Sequence, residues 1–564
     1  MKRSLLLAGL VLSLAAPAYA GPAKPAPAPV TPVDNPEPPQ KPTLVVAISV
    51  DQFSADLFAE YRSKFTGGLK RLEDGVVFPS GYQSHAATET CPGHSTILTG
   101  SRPARTGIIA NNWMEPEKPR AGKDGKPDYS VYCAEDESVP GSNSGNYTVS
   151  TKHLKVPTLG DRLKAVSPQS RVVAVSGKDR AALMMGGHNA DLELYWDGKA
   201  FVALAGKDAA LPAALAKVNA SANAAIAKDY VPILPATCAA RSHGVEVATG
   251  YVVGKLQTRK AADAKGWRAT PDFDSKTMDL ALGVQSEMKL GQGPATDVLA
   301  ISMSATDYVG HTFGTEGAES CTQLMALDAT LGRLFSALDK AKVKYVAVLT
   351  ADHGGHDAVE RNDEQGLPAA QRVTLDLFPA AMGKAIGAQF GMNETALIGD
   401  GPFGDIYLTK AVPAEKRDAV LAAAVAAYKA SPQVEAVYTR KEIEAAPPPS
   451  GSVGEWSLLT RVRQSYDPER SGDFIVLLKP YVTPIPAGTT GYTATHGSVW
   501  NYDRRVPILV WWPGVNAFEQ PNGIETADIL PTLASFIGLD VPSQEIDGRC
   551  VDLVIGKASN CPIK

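Results

Sequence analysis

Five apolar, largely β-branched runs constrain this chain more than any other feature. They are Leu44–Val50 (LVVAISV), 171–175 (RVVAV), 298–303 (VLAISM), 345–349 (YVAVL) and 507–511 (PILVW). None alternates apolar with polar residues, so each is expected to be a parallel strand buried on both faces. Helical patterns lie between them. The clearest is SCTQLMALDATLGRLFSALDK over 320–340, where Leu324, Leu327, Leu331, Leu334 and Leu338 recur on one face. Alternation of this kind predicts an α/β fold, a mostly parallel central sheet with helices on both faces. Such sheets bind ligands beyond the carboxyl ends of their strands.

The rest of the chain frames that core. Residues 1–20 (MKRSLLLAGLVLSLAAPAYA) read as an export signal, with a basic start, an apolar stretch too short to span a bilayer and a small-x-small cleavage site. Residues 21–42 form a Pro/Ala-rich linker. Residues 43–564 form the main domain, with an irregular polar insertion at about 114–150 and a small α+β cap at about 358–490. The cap includes an Ala-rich helix expected over 414–430. The expected location is periplasmic or secreted, with no membrane span.

Removing the signal lowers Lys+Arg from 55 to 53 against 60 Asp+Glu, leaving a net charge of −7. That balance argues against a general nucleic-acid binder, and no nucleic-acid binding is expected. The six cysteines form no CxxC pair, which argues against a sulfur-ligated zinc. Export permits disulfides. Cys550 and Cys561 are near enough in sequence to staple the C-terminus, and the other pairings stay open.

The residues just past the strands carry the chemistry. LVVAISV ends at Asp51, VLAISM leads to Asp307 and His311, YVAVL leads to Asp352 and His353, and a late TATHGS supplies His496. A lone strand-end aspartate is usually a helix cap, but three carboxylates and three imidazoles at one sheet edge call for a metal. Oxygen and nitrogen donors without thiolates fit zinc or a similar first-row ion, with ligands enough for two. Two such ions can stabilise the attacking and leaving oxygens of an in-line displacement. A further stretch, TETCPGH, offers Thr90, Cys91 or merely a helix start.

Taken together, these motifs resemble the alkaline phosphatase superfamily, most of all its secreted bacterial members that use a threonine nucleophile. The likeness extends through HGSVWNYDRRVPILVWWPG and ADILPTLASFIGLDVP near the C-terminus. It implies an alkaline-phosphatase-like sandwich with the inserted cap. It also implies hydrolysis of phosphate monoesters through a phosphothreonine on Thr90. By the same resemblance, Asp307, His311 and His496 would hold one zinc ion, and Asp51, Asp352 and His353 a second, with the Thr90 hydroxyl beside it. Asn111, with Asn112 as second choice, and the Lys178–Arg180 pair would bind the phosphate. Sulfatases of the superfamily modify a cysteine in C-x-P-S-R; here the chain reads Cys91-Pro92-Gly93-His94 and lacks both the serine and the arginine. His94 is expected to support the turn. His356 and Asp357 are either outer partners of the metal ligands or surface loop. His85, His153, His188 and His243 are expected to be structural.

Charge distinguishes monoester from diester. Two zinc ions, three aspartates and a threonine alkoxide sum to zero, so Lys178 and Arg180 are left to balance a dianionic monoester. A phosphodiesterase or nucleotide pyrophosphatase on the same fold is the nearest rival. A non-catalytic exported metal- or phosphate-binding protein is the rival from another class, and it gives no reason for Thr90.

Overall fold

The computed structural model describes residues 41–562, apart from 124, 206–210, 368 and 555–558. The expected export signal and all but the last two residues of the linker lie outside the described residues.

A ten-stranded mixed sheet organises the molecule. Its middle is five consecutive parallel strands, in the order Tyr345–Thr350, Leu44–Val50, Asp297–Met303, Val172–Ser176 and Leu192–Trp196. The antiparallel Phe201–Ala205 closes one edge. On the other side Arg505–Trp511 pairs antiparallel with both Tyr345–Thr350 and Val76–Tyr82. The expectation of a parallel strand at 507–511 is therefore corrected. A continuous apolar run reports burial on both faces, and burial carries no information about chain direction.

Each central strand feeds two cores at once. Along Leu44–Val50, Leu44, Val46, Ile48 and Val50 enter one cluster while Val45 and Ala47 enter the other, as the two-residue period of a strand requires. The first cluster is closed by the Ala318–Lys340 and Pro271–Glu287 helices, and all five leucines expected on the apolar face of the former are buried in it. The second is closed by Thr90–Ile97, Leu159–Val166, Asp179–Gly186 and Ile529–Ile537. Helices thus cover both faces.

A separate antiparallel sheet runs in the order Leu397–Ile398, Gly404–Leu408, Phe474–Leu478 and Val434–Thr439. Helices Pro379–Gln389 and Arg417–Ala430 pack on it around a third core that includes Leu377, Ile406, Tyr428 and Val476. The Ala-rich helix begins with a 3-10 turn, Ala414–Lys416, before the α-helix proper. Segment 114–150 folds into short two-stranded pieces, of which Asn112–Met114 with Ser130–Tyr132 is the longest. Three disulfides form: Cys91–Cys133, Cys238–Cys321 and Cys550–Cys561. Among the described residues, no helix is long and apolar enough to cross a membrane.

Candidate active site

The parallel strands deliver their following residues to one edge of the sheet. Asp51 lies immediately after Leu44–Val50, and Asp352 follows Tyr345–Thr350 after a single alanine. Asp307 and His311 sit four residues apart on the Ala305–Phe313 helix, so they share a face. The start of that helix is fixed from outside, because the buried Asp274 accepts from the Ala305 amide at 2.9 Å and from Gln323 at 2.8 Å.

Thr90 opens the Thr90–Ile97 helix. Pro92 is tolerated there because the first turn needs no amide donor. Gly93 is demanded by packing: a Cβ at that position would stand 2.0 Å from the Asp352 carbonyl oxygen. The TCPGH spelling thus allows the helix to press against the loop that carries Asp352 and His353.

Two groups of donor atoms result, each with all its ligating atoms within 4.8 Å of one another: Asp307, His353 and His496, and Asp51, His94 and Asp352. His311 joins the first group, its Nε2 lying 3.2 Å from the Asp307 carboxylate, while His496 Nε2 is 3.5 Å from the same oxygen. His353 lies between the groups, 3.2 Å from Asp352 and with its ring stacked on His496 at 3.5 Å.

Proton accounting separates the imidazoles. His311, His353 and His496 each turn Nδ1 to a backbone carbonyl, of Ala494, Gly354 and Thr88, at 2.9, 2.9 and 2.8 Å. A carbonyl only accepts, so Nδ1 carries a proton and Nε2 is the nitrogen that faces the site, where its lone pair could bind a metal. This is the outer-shell arrangement that metal-binding histidines use. His94 differs. Its Nδ1 donates to the Thr90 carbonyl at 2.9 Å, and its Nε2 meets Ser302 Oγ at 3.0 Å. The Ser302 proton is already given to Asp51 at 2.8 Å, so His94 donates from both nitrogens and has no lone pair for a metal. Burial works against its charge, but Asp352 and Asp51 prevail and raise its pKa to about 9. His94 is a cationic brace beneath the turn.

The residues fit a divalent metal on a second ground. Asp51 Oδ2, Asp352 Oδ2 and His353 Nε2 are buried atoms with no hydrogen-bond partner, although Lys178 and neighbouring histidines approach the two carboxylate oxygens at ion-pair distance. Buried polar atoms left unmatched at that density are costly, and a shared cation satisfies all three.

Two basic side chains reach the same centre. Lys178 Nζ lies 2.6 Å from Asp307, 2.8 Å from Asp51 and 3.5 Å from Thr90 Oγ1. Arg180 donates to Thr90 Oγ1 at 3.3 Å. Burial opposes the charge on Lys178, but Asp307 and Asp51 outweigh it and hold the amine above its ordinary pKa. The same cluster, through His311 and Lys178, draws Asp307 well below the usual carboxylate range against the effect of burial.

Of the two asparagines, Asn111 belongs to the turn. Its Oδ1 accepts from the Cys91 amide at 2.8 Å, and its own amide donates to Glu89 at 2.6 Å. The oxygen being engaged, Nδ2 is the end left to meet an anion. Asn112 instead points to Asp400 at 3.4 Å.

Four contributors went unforeseen. Gln52 reaches Asp307 and Asp352. Glu89 anchors Asn111, and burial pushes its carboxyl up to about 7. Tyr132 and Tyr147, from the irregular insertion, each donate to Asp179 at 2.7 Å, and Tyr132 also accepts from Arg180 at 3.4 Å. Only adjacency marked Gln52 and Glu89 in the sequence; nothing marked the tyrosines. His356 and Asp357 are not surface loop: both are buried, His356 donating to or accepting from Thr483 at 2.7 Å and Asp357 paired with Arg361.

Comparison with known proteins gives the family of the chain. A family model described as Type I phosphodiesterase / nucleotide pyrophosphatase matches residues 45–498. The chain is 51% identical over 524 residues to alkaline phosphatase PhoK of Sphingomonas sp, covering 92% of each chain. It is 47% identical to alkaline phosphatase PhoD of Zymomonas mobilis subsp. mobilis, covering 92% of this chain and 90% of that one. The crystal structure of wild-type alkaline phosphatase PafA matches with a TM-score of 0.78 at 27% identity, covering 92% of this chain and 99% of that one.

Proposed function

The chain belongs to the Type I phosphodiesterase / nucleotide pyrophosphatase family and, within it, to the alkaline phosphatases, and from that premise we propose that it is a zinc-dependent phosphomonoesterase acting through Thr90. The observation that carries the monoester reading is that Lys178 and Arg180 converge on one hydroxyl, Thr90 Oγ1, at 3.5 and 3.3 Å.

Two cationic donors on a hydroxyl favour its alkoxide, which an unassisted threonine does not form. The same two side chains are aimed where the nonbridging oxygens of a dianionic ester would lie, and Asn111 Nδ2 adds a neutral donor. In-line attack by Thr90 Oγ1 on phosphorus would expel the ester's alcohol and form a phosphothreonine, and water in a second displacement would cleave the P–Oγ1 bond, releasing phosphate and restoring the Thr90 hydroxyl. Asp307, His311 and His496 would hold one zinc ion; Asp51, Asp352 and His353 would hold the other, beside Thr90. When bound, the ions supply Lewis-acid stabilisation of the attacking and leaving oxygens. Catalysis is then mostly positioning and charge, as a loose phosphoryl-transfer transition state requires.

Residues 1–20 are read as an export signal, with three disulfides in favour of an oxidising compartment. The segment at about 358–490 is read as a cap over the site; Asp400, Phe403 and Tyr407 share with Glu89 and His496 the lining of a cavity between the smaller sheet and the chain around 86–89 and 496–499.

The family model's name keeps phosphodiester hydrolysis as the second reading. The test is kcat/KM for p-nitrophenyl phosphate against bis-p-nitrophenyl phosphate at alkaline pH, with chelator and zinc add-back. Monoester preference that is lost to chelator and restored by zinc is expected; a diester preference overturns the assignment of Lys178 and Arg180.

A further inference from the structure

We propose that Gln52 is the positioning residue that sets the Asp307 and Asp352 carboxylates relative to one another, an inference that rests on reading the site as a two-metal centre. Gln52 follows Asp51 directly and is buried, with 1% exposure. Its side-chain Nε2 donates to Asp307 Oδ1 at 3.2 Å and its backbone amide donates to Asp352 Oδ1 at 3.1 Å. A carboxylate only accepts, so the nitrogen end of the side-chain amide must face Asp307. One residue therefore grips one carboxylate from each metal group, through two bonds that share a single Cα.

Three features of the chain converge on that grip. The Gln52 backbone has φ +63°, the left-handed region that disfavours residues with a Cβ. Glycine would adopt it freely but would bring no amide to Asp307. Gly310 lies in the Ala305–Phe313 helix, where glycine is unfavourable, and a Cβ there would stand 1.6 Å from Gln52 Oε1. A Cβ on Gly355 would stand 2.9 Å from Gln52 Cγ. The fold thus accepts a strained backbone and clears space at two glycines for one neutral donor. Being neutral, that donor orients Asp307 without altering the charge balance among the aspartates, Lys178 and Arg180.

The experiment strips the full mature chain of metal and titrates it with Co2+, following visible absorption and bound metal. Gln52→Met keeps the length and removes the donor; Gly310→Ala favours the helix while its Cβ displaces the Gln52 amide. Both variants are expected to bind Co2+ about 10–100-fold more weakly and to shift the Co2+ spectrum at matched occupancy, while the metal-free proteins melt near the wild-type temperature. Variants with wild-type affinity and spectrum overturn the inference. Should Gln52→Met fail to fold, Gly310→Ala decides by the same two readouts. A wild-type protein that takes up no Co2+ overturns the metal reading and this inference together, whereas wild type loading two ions beside variants that match it overturns the inference alone.

Discussion

The Arg180 guanidinium donates to the Thr90 hydroxyl at 3.3 Å, and the Tyr132 hydroxyl stands behind it at 3.4 Å. The irregular insertion and the first turns of two helices, Asp179–Gly186 and Thr90–Ile97, therefore meet within one chain of hydrogen bonds.

Removing the hydroxyl at the end of that chain separates chemistry from metal binding. Thr90→Ala is expected to abolish turnover of p-nitrophenyl phosphate while metal content, measured on the purified protein, stays close to wild type. Normal turnover would rule out a threonine intermediate.

Lys178 and Arg180 should matter more for a dianion than for a monoanion. Arg180→Ala is expected to lower kcat/KM for the monoester by about 10²–10³-fold, in the range for losing one preorganised donor, and to lower diester kcat/KM less. Equal losses on both substrates would detach Arg180 from substrate charge.

Tyr132 tests whether the insertion takes part. Tyr132→Phe keeps the ring and removes a hydroxyl that donates to Asp179 and accepts from Arg180. Hydrogen bonds to charged groups are worth about 1.5–3 kcal/mol, so monoester kcat/KM should fall roughly tenfold or more. In the Arg180→Ala background the same change should cost little. Additive losses would place Tyr132 outside the Arg180 chain.

The Cys91–Cys133 disulfide closes 42 residues and joins the residue after Thr90 to the one whose amide donates to the Asn111 carbonyl at 2.9 Å. By loop-closure entropy such a link is worth about 4 kcal/mol. Cys91→Ser with Cys133→Ser should lower the melting temperature and raise KM for the monoester more than it lowers kcat. An unchanged KM would show that Asn111 holds its place without the link.

Asp161 gives a pH-dependent stability term away from the site. Burial disfavours its charge, but His188 and the amides of Thr158 and His188 outweigh that and bring its pKa down to about 2. A depressed carboxyl stabilises the fold above its unfolded pKa and loses that contribution as pH falls through the folded value. Asp161→Asn should therefore be less stable than wild type at pH 6, with the gap closing between about pH 4 and pH 2. A gap constant with pH in denaturant titrations would contradict this.

Much of the molecule was legible before the structure. The five apolar runs are strands of one sheet, and the leucines from Leu324 to Leu338 line one buried helix face. Both are periodic signals within a few residues of chain. The aspartates and histidines past the strands stood out because strand ends share an edge. What escaped was relational. The direction of Arg505–Trp511 depends on its route across the sheet, and the left-handed turn at Gln52 leaves no mark in composition. The Tyr132 and Tyr147 contacts to Asp179 join segments that no local period connects.

The strand order also governs how the protein is made. Leu44–Val50 is paired with strands that begin at residues 297 and 345, and His496 is synthesised hundreds of residues after Asp51. No contiguous stretch carries the whole ligand set, and a sheet closed from such distant partners belongs to the slow-folding class. Metal capture at the proposed centre would thus be a terminal event of biogenesis. On the proposed ligand set, a nascent chain stalled or clipped short of His496 would carry the carboxylates without all the donors, so metal content would measure how much of the population has completed its fold.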